Sequence, residues 1–218
     1  VETVNNLLEL HLQPDGRVTV DMNRPVFDPA LVPFDGSGLM SRREGDFDLW
    51  PLALADGGSA EVAVLSMGNP HAVLQVDHVD AAPVAVLGPI IEEHPRFPDR
   101  ANVGFVEIVA RDHLRLRVWE RGVGETLACG SGACAAMVAL RLIDAVDSTV
   151  RIDLPGGQLQ VRWPGGAADR ARRASIASAS TRSSTARRRS MASAISSSSR
   201  FAASSSTFSH SHFVASET

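Results

Sequence analysis

Alternating apolar and polar positions run through the first 163 residues and predict a series of short strands. Apolar side chains alternate over 8–12 and 18–22, on either side of Pro14-Asp15-Gly16, which predicts a hairpin. Continuous apolar runs at 61–67 and 72–76 predict two buried strands that flank a turn. The sequence between the first predicted hairpin and about Gly58 is polar and proline-rich, and no strand is predicted there.

The rest of the body, from residue 81 to residue 163, continues this pattern and adds helices. Alternation over 114–119 predicts a half-buried strand that ends at Glu120 and Arg121. Residues 81–94 suit a short helix, and 150–163 form a second predicted hairpin around Pro155-Gly156-Gly157.

One helix is predicted to be buried. The stretch after Ser131 places four apolar residues at i, i+3, i+4 and i+8, which defines a core-facing stripe: Cys134, Met137, Val138 and Leu142. Many strands around one long buried helix indicate an α+β domain.

The most chemically suggestive residue is Cys129, which lies in a glycine-rich turn just before this helix. A thiol at a helix N-terminus faces unpaired N–H groups and the positive end of the helix dipole, which favour the thiolate. Gly130 and Gly132 allow a close backbone approach to a ligand and offer N–H donors to an anion. Cys134 falls on the core stripe, so Cys129 is the candidate working thiol.

Two other interpretations of the cysteines remain. Cys129 and Cys134 could both be core residues beside a helix cap. A zinc or redox site fits less well, because two cysteines cannot complete a four-ligand zinc site and the spacing is not C-x2-C.

The net charge of −4 conceals two unlike parts. Residues 165–218 hold eight arginines against Asp169 and Glu217, a formal charge of +6, so the remainder carries −10. The acidic body argues against a nucleic-acid partner. No apolar run approaches a membrane span and no signal peptide opens the chain, so we expect no membrane partner. Two closely spaced cysteines suit a reducing compartment, and we expect a cytoplasmic protein.

The tail is low in complexity, with seventeen serines in its fifty-four residues. We expect residues 165–218 to lack a fixed fold and to be cleaved first by trypsin. The tail could be a solvated linker or, through Arg187 to Arg189, an RNA-binding segment, although no aromatic platform accompanies those arginines. A shifted reading frame explains it best, because the body is rich in Ala, Arg and Val and contains no lysine.

Several short motifs occur in a fixed order along the body. They are Gly68-Asn69-Pro70-His71, Arg100-Ala101-Asn102-Val103-Gly104-Phe105, Glu120-Arg121-Gly122-Val123-Gly124-Glu125-Thr126, Ala128-Cys129-Gly130-Ser131-Gly132 and Leu154-Pro155-Gly156-Gly157. The ordered set resembles the diaminopimelate epimerase family, the cofactor-independent isomerases of lysine and cell-wall precursor synthesis. The resemblance extends from the first residues to about Trp163.

The resemblance implies two similar lobes, each a mixed sheet curled round a central helix, with the substrate between them. It divides the chain into a remnant of the first lobe (1–29), the second lobe (30–164) and the tail (165–218). One catalytic cysteine comes from each lobe, and Cys129 matches that of the second. The other would precede Val1, and the family's closing strand after Trp163 is also expected to be absent. The family implies diaminopimelate as substrate, no cofactor or metal, and a homodimer in the complete enzyme.

The resemblance also implies roles for residues that bind substrate. Asn69 and Asn102 match asparagines that hydrogen-bond its polar groups. Glu120 and Arg121 match a pair that holds the distal amino-acid end, where the guanidinium suits a carboxylate. Each has a simpler interpretation, since Asn69 before a proline often forms a turn and the charged pair could be a solvated strand end.

Two further roles concern the reacting centre. Gly130 and Ser131 match backbone donors to the substrate carboxylate, as expected at a helix N-terminus. His71 and Glu120 match positions that tune the pKa of the thiols. Alone, His71 would more often be a satisfied buried histidine than a catalytic one.

Alternatives to this function stay open. Proline racemase-like enzymes and phenazine-biosynthesis relatives share the fold, although Glu120-Arg121 with Gly68-Asn69-Pro70-His71 favours the diaminopimelate enzyme. The chain begins at Val1, not Met, which suggests that its start is missing. It could then be a non-catalytic fragment that binds substrate or a partner lobe, and we expect no turnover by the chain alone.

Overall fold

A computed structural model of the protein describes residues 8–55, 57–165 and 172–178. Within these ranges the chain forms twelve strands and two α-helices, with a short 3₁₀ turn at Val79–Ala81. The elements are β1 (Glu9–Leu12), β2 (Val18–Asp21), β3 (Arg42–Glu44), β4 (Phe47–Ala53), β5 (Ser59–Ser66), β6 (Pro70–Gln75), α1 (Val84–Glu92), β7 (Asn102–Ala110), β8 (His113–Glu120), β9 (Gly124–Thr126), α2 (Gly130–Leu142), β10 (Thr149–Leu154), β11 (Gly157–Arg162) and β12 (Ser175–Ser178).

The strands form one mixed sheet. Its order is β1-β2-β12-β11-β10-β8-β7-β6-β5-β4-β3, and β9 pairs with the end of β8. The neighbours β6/β7 and β8/β10 are parallel, and all other described pairs are antiparallel. Both predicted hairpins, β1/β2 and β10/β11, are present.

Helix α2 lies at the centre of this sheet. It packs against β5, β6, β7 and β8 and also against β11 and β12, so the sheet curls around it. Twelve of its thirteen residues are buried, and only Arg141 is partly exposed. The predicted stripe was therefore too narrow, because a helix enclosed on all sides buries every face. The prediction of an α+β fold with a sheet curled round a central helix is confirmed.

The opposite face of the sheet is covered by α1. Leu114, Leu116 and Val118 of β8 point into the core that contains α2, while Trp119 packs into a second core beneath α1. Successive side chains of β8 thus point into two different apolar cores, one on each face of the sheet. Among the described helices, none is both long and apolar enough to cross a bilayer.

Two strands occur where none was predicted. Strands β3 and β4 lie in the proline-rich segment before Gly58, and β4 contains Pro51. Pro51 is paired with Glu61 of β5, but β3 is too short to reach it on the other side. A residue without an N–H is tolerated there because no ladder hydrogen bond is required of it.

The prediction for the tail was wrong at residues 172–178. Strand β12 follows Trp163 and pairs with β11 and β2, so a closing strand is present. Ala174 and Ile176 are buried, and the Trp163 indole donates a 2.8 Å hydrogen bond to the carbonyl of Arg172. The serine-rich composition concealed this short apolar alternation. Residues 1–7, 166–171 and 179–218, including Arg187 to Arg189, lie outside the described residues.

Candidate active site

The sheet topology brings the predicted site residues to one edge. Parallel strands β6 and β7 begin side by side, with His71 opposite Asn102. Strand β8 runs antiparallel to β7, so its carboxyl end, with Glu120, lies beside the start of β7. The Asn69 side chain connects this edge to the start of α2 through its hydrogen bond to Ser131.

Cys129 is the N-cap residue of α2. Its extended backbone (φ −135°, ψ 111°) turns the thiol back over the helix, and Sγ accepts a 3.3 Å hydrogen bond from the amide of Gly132. A Cβ at position 132 would lie 3.2 Å from this sulfur and 3.2 Å from Val118 Cγ2. Both contacts are tighter than ordinary van der Waals distance, so a side chain at 132 would displace the sulfur or Val118 slightly.

The thiol is in its protonated form. Cys129 is completely buried, and burial together with the neighbouring Glu120 carboxyl raises its pKa to about 12. The Ser131 hydroxyl and the amides of Gly132 and Ser131 act in the opposite direction. The donors at the helix N-terminus favour the thiolate, as expected, but burial and the Glu120 carboxyl outweigh them in this structure.

A chain of polar contacts leads from the thiol into the sheet. Ser131 Oγ lies 3.6 Å from Cys129 Sγ and accepts a 3.4 Å hydrogen bond from the Asn69 side-chain amide. Asn69 Oδ1 in turn lies 3.0 Å from His71 Nε2. Because this carbonyl oxygen can only accept, Nε2 carries the proton. The contacts connect β6 to the start of α2, 62 residues apart at Asn69 and Ser131.

His71 is a neutral imidazole. It is completely buried, and burial together with the positive charge of Arg121 lowers its pKa to about 3. A neutral imidazole with its proton on Nε2 fixes the orientation of Asn69, which then presents its N–H to Ser131.

Asn102 connects the start of β6 to the turn that follows β8. Its side-chain amide donates a 3.1 Å hydrogen bond to the carbonyl of Pro70, and its Oδ1 accepts a 3.0 Å bond from the backbone amide of Arg121. Asn102 is buried, whereas the Arg121 side chain is half-buried and donates to the carbonyl of Asp99 over 2.7 Å. Asn102 thus holds the turn that carries Arg121 against the turn that carries Asn69.

Glu120 is a buried carboxyl beside the thiol. Burial raises its pKa, and a 2.6 Å hydrogen bond donated by the Thr126 hydroxyl opposes this shift. Thr126 was not among the predicted site residues. The β8/β9 hairpin, in which Glu120 pairs with Gly124 and Val118 with Thr126, brings it there. The glycines at 122 and 124 were the available sequence signal for this hairpin.

The structure therefore gathers Cys129, His71, Glu120, Asn69, Asn102, Arg121, Gly130 and Ser131 at the joined ends of β6, β7, β8 and α2. Cys134 lies within the helix core, and burial raises its pKa further. Both cysteines are free. Among the described residues, no group of three or more side chains is arranged to hold a metal ion.

Comparison with known proteins shows which family the chain resembles. Residues 63–169 match the model of the family described as diaminopimelate epimerase. The diaminopimelate epimerase of Albidiferax ferrireducens is 56% identical over 171 residues, which cover 77% of this chain. The chain belongs to the diaminopimelate epimerase family. The diaminopimelate epimerase of Leptothrix cholodnii is 54% identical over 171 residues and 76% of this chain.

The matches cover only part of the length of the related proteins. The chain spans 59% and 58% of the length of these two diaminopimelate epimerases. Among solved structures, a hydroxyproline epimerase from Agrobacterium vitis is similar with a TM-score of 0.49 and 14% identity, covering 82% of this chain and 58% of that one.

Proposed function

We propose that this chain supplies one half of a two-base active site that interconverts LL- and meso-diaminopimelate. The observation that carries the proposal is the placement of Cys129, at a helix N-terminus and in contact with Ser131, among the residues that match the substrate-binding motifs of the family. The identity of more than half of the aligned residues to diaminopimelate epimerases supports the choice of substrate.

The chemistry requires two groups on opposite faces of the α-carbon. One thiolate removes the α-proton, and a thiol on the other face delivers its own proton to the resulting carbanion, which inverts the centre. Cys129 holds its proton in this structure, so in one direction it acts as the acid. The thiolate left after proton transfer is stabilised by the amide of Gly132 and the hydroxyl of Ser131. In the reverse direction the same thiolate acts as the base.

The remaining residues suit the two ends of the substrate. The first amides of α2, at Gly130 and Ser131, are suited to the carboxylate at the reacting centre. Arg121 and Glu120 would bind the distal carboxylate and ammonium groups. Asn69 and Asn102 would fix the orientation of the polar groups between these ends, because each already has a defined side-chain orientation.

His71 and Glu120 would set the pKa of the thiol. The Glu120 charge raises it and so helps Cys129 to retain its proton until substrate binds. His71 acts through Asn69 and Ser131, since it contacts the first of these directly.

The second cysteine would come from a first lobe, as the family resemblance implies, and we also propose a homodimer in the cytoplasm. Two free, buried cysteines are suited to a reducing compartment.

The decisive experiment is exchange of the α-proton of diaminopimelate for deuterium. We expect no exchange by the 218-residue chain alone and measurable exchange after fusion to a first lobe from a relative. In the fused protein Cys129→Ala should abolish exchange, whereas Cys134→Ala, a matched change in the same buried helix, should retain it. Equal loss in both variants, or turnover by the chain alone, would contradict the proposal.

A further inference from the structure

Glu92 is a buried carboxylate that has no assigned role in this reaction. It is the last residue of α1 and is only 5% exposed. Burying a carboxylate is costly unless its oxygens are satisfied by hydrogen bonds or an opposite charge. The hydrogen-bond donors that contact Glu92 therefore indicate its role in the structure.

Both oxygens accept short hydrogen bonds from the β8–β9 hairpin. The Trp119 indole N–H donates to Oε2 over 2.7 Å, and the Gly122 amide donates to Oε1 over 2.6 Å. Arg100 Nη1 lies 3.5 Å from Oε1 and supplies an opposite charge. Trp119 and Gly122 flank Glu120 and Arg121, so the carboxylate holds this pair from both sides.

The backbone of Glu92 holds the other site segment. Its carbonyl accepts a 3.2 Å hydrogen bond from the amide of Ala101, the residue before Asn102. Asn102 then accepts from the amide of Arg121. One residue at the end of α1 is thus connected to both segments, and Asn102 joins them directly.

We infer that Glu92 is a positioning residue. It fixes the Glu120–Arg121 turn and thereby orients the residues that bind the distal end of the substrate. The inference rests on the proposed function for the identity of that substrate. Gly122 is itself exposed, so its hydrogen bond to the buried carboxylate anchors this point of the turn. The hydrogen bonds to the carboxylate fix the turn together with the Asn102 contact, and bonds to a charged acceptor are stronger than neutral ones.

The test compares Glu92→Gln with Glu93→Gln in the full chain. Glutamine at 92 keeps the size of the side chain but places an N–H against either the Trp119 or the Gly122 donor. Glu93 is the matched control, since its side chain is 61% exposed and also pairs with Arg100. By NMR, we expect about tenfold faster amide exchange at Arg121 to Val123 in Glu92→Gln and no change in Glu93→Gln. Unchanged exchange in Glu92→Gln would overturn the inference.

A second readout separates positioning from a general loss of stability. Titrations with diaminopimelate and with lysine, which lacks the distal carboxylate, give a selectivity ratio for each variant. We expect Glu92→Gln to lower this ratio about tenfold, because a loosened Arg121 no longer favours the distal carboxylate. An equal loss of affinity for both ligands would overturn the positioning role. If the wild-type chain shows no preference, the distal-end roles proposed for Glu120 and Arg121 fail, and amide exchange alone decides whether Glu92 holds the turn.

Discussion

A Cβ atom at Gly88 would lie 2.6 Å from Cγ of Trp119, a distance at which one of the two residues must move. Helix α1 can approach β8 this closely only because position 88 lacks a side chain. Trp119 is also held by Glu92, so its ring is not free to shift.

Gly88→Ala should therefore destabilise the protein although alanine has the higher helix propensity. We expect a loss of about 1 to 3 kcal/mol in the free energy of unfolding, measured by urea denaturation. Gly104→Ala is the control, because its Cβ would meet Leu116 at an ordinary 3.5 Å. Equal stability of the Gly88→Ala and wild-type chains would show that α1 can move away from β8.

Thiol reactivity should follow the charge at Glu120. Because burial raises the pKa of Cys129 to about 12, only a very small fraction of this thiol is ionised at pH 7. Iodoacetamide modification of the folded chain should then be slow and rise about tenfold per pH unit between pH 7 and 9. Glu120→Gln should accelerate it roughly threefold to tenfold, because a neighbouring negative charge is removed.

Mass-spectrometric mapping gives the rate at each cysteine. Cys129 should react before Cys134, because burial raises the pKa of Cys134 further. Glu93→Gln, an exposed change, should leave both rates as they are. Faster modification of Cys134 would exclude Cys129 as the more accessible thiol.

Buried His71 should make stability depend on pH. Its folded pKa of about 3 lies below the unfolded value of 6.5, so the unfolded chain takes up a proton first as the pH falls. The resulting stability is fully present above pH 6.5 and is lost towards pH 3, by about 2 kcal/mol at pH 5. His71→Gln should flatten the difference in unfolding free energy between pH 7 and 5, and exposed His11→Gln should not. The same pH dependence in wild type and His71→Gln would show that other groups account for it.

The packing of β12 predicts a measurable contribution from Ile176. This residue is 2% exposed, and its Cδ1 lies 3.0 Å from where a Cβ at Gly130 would be. Ile176→Ala should lower the unfolding free energy by about 2 to 4 kcal/mol. Leu12→Ala, at a side chain that is 80% exposed, should stay within about 0.5 kcal/mol of wild type. A negligible effect of Ile176→Ala would show that the last described strand adds little to the fold.

The sequence supported those predictions that depend on local pattern. The alternation of β8 and the turn at Pro14-Asp15-Gly16 predicted elements that the structure contains, because strand pairing follows a period of two residues. The strand around Ile176 was missed because its neighbours are small serines and alanines. The ordered motifs named the candidate residues but not their contacts.

The electrostatic state of the site could not be read from spacing. Helix position alone argued for a thiolate at Cys129, whereas the folded structure removes its sulfur from water and places Glu120 nearby. Likewise, Asn69 and Ser131 are joined only through the folded sheet. Desolvation and long-range contacts are properties of the three-dimensional arrangement.

The position of β12 has a consequence for the order in which the fold can be completed. Strand β2 has β1 on one side and β12 on the other, so the first hairpin joins the rest of the sheet through a strand made more than 150 residues later. At this junction the Ala174 amide donates to the Asn23 carbonyl, and the Ala174 carbonyl accepts from the Met22 amide. Arg173 also pairs with Asp21. During synthesis one edge of β2 therefore stays unpaired until β12 has been made. Pairing between β2 and β12 should be slow, because their residues are far apart in the sequence. Until then the exposed edge of β2 can pair with the wrong strand.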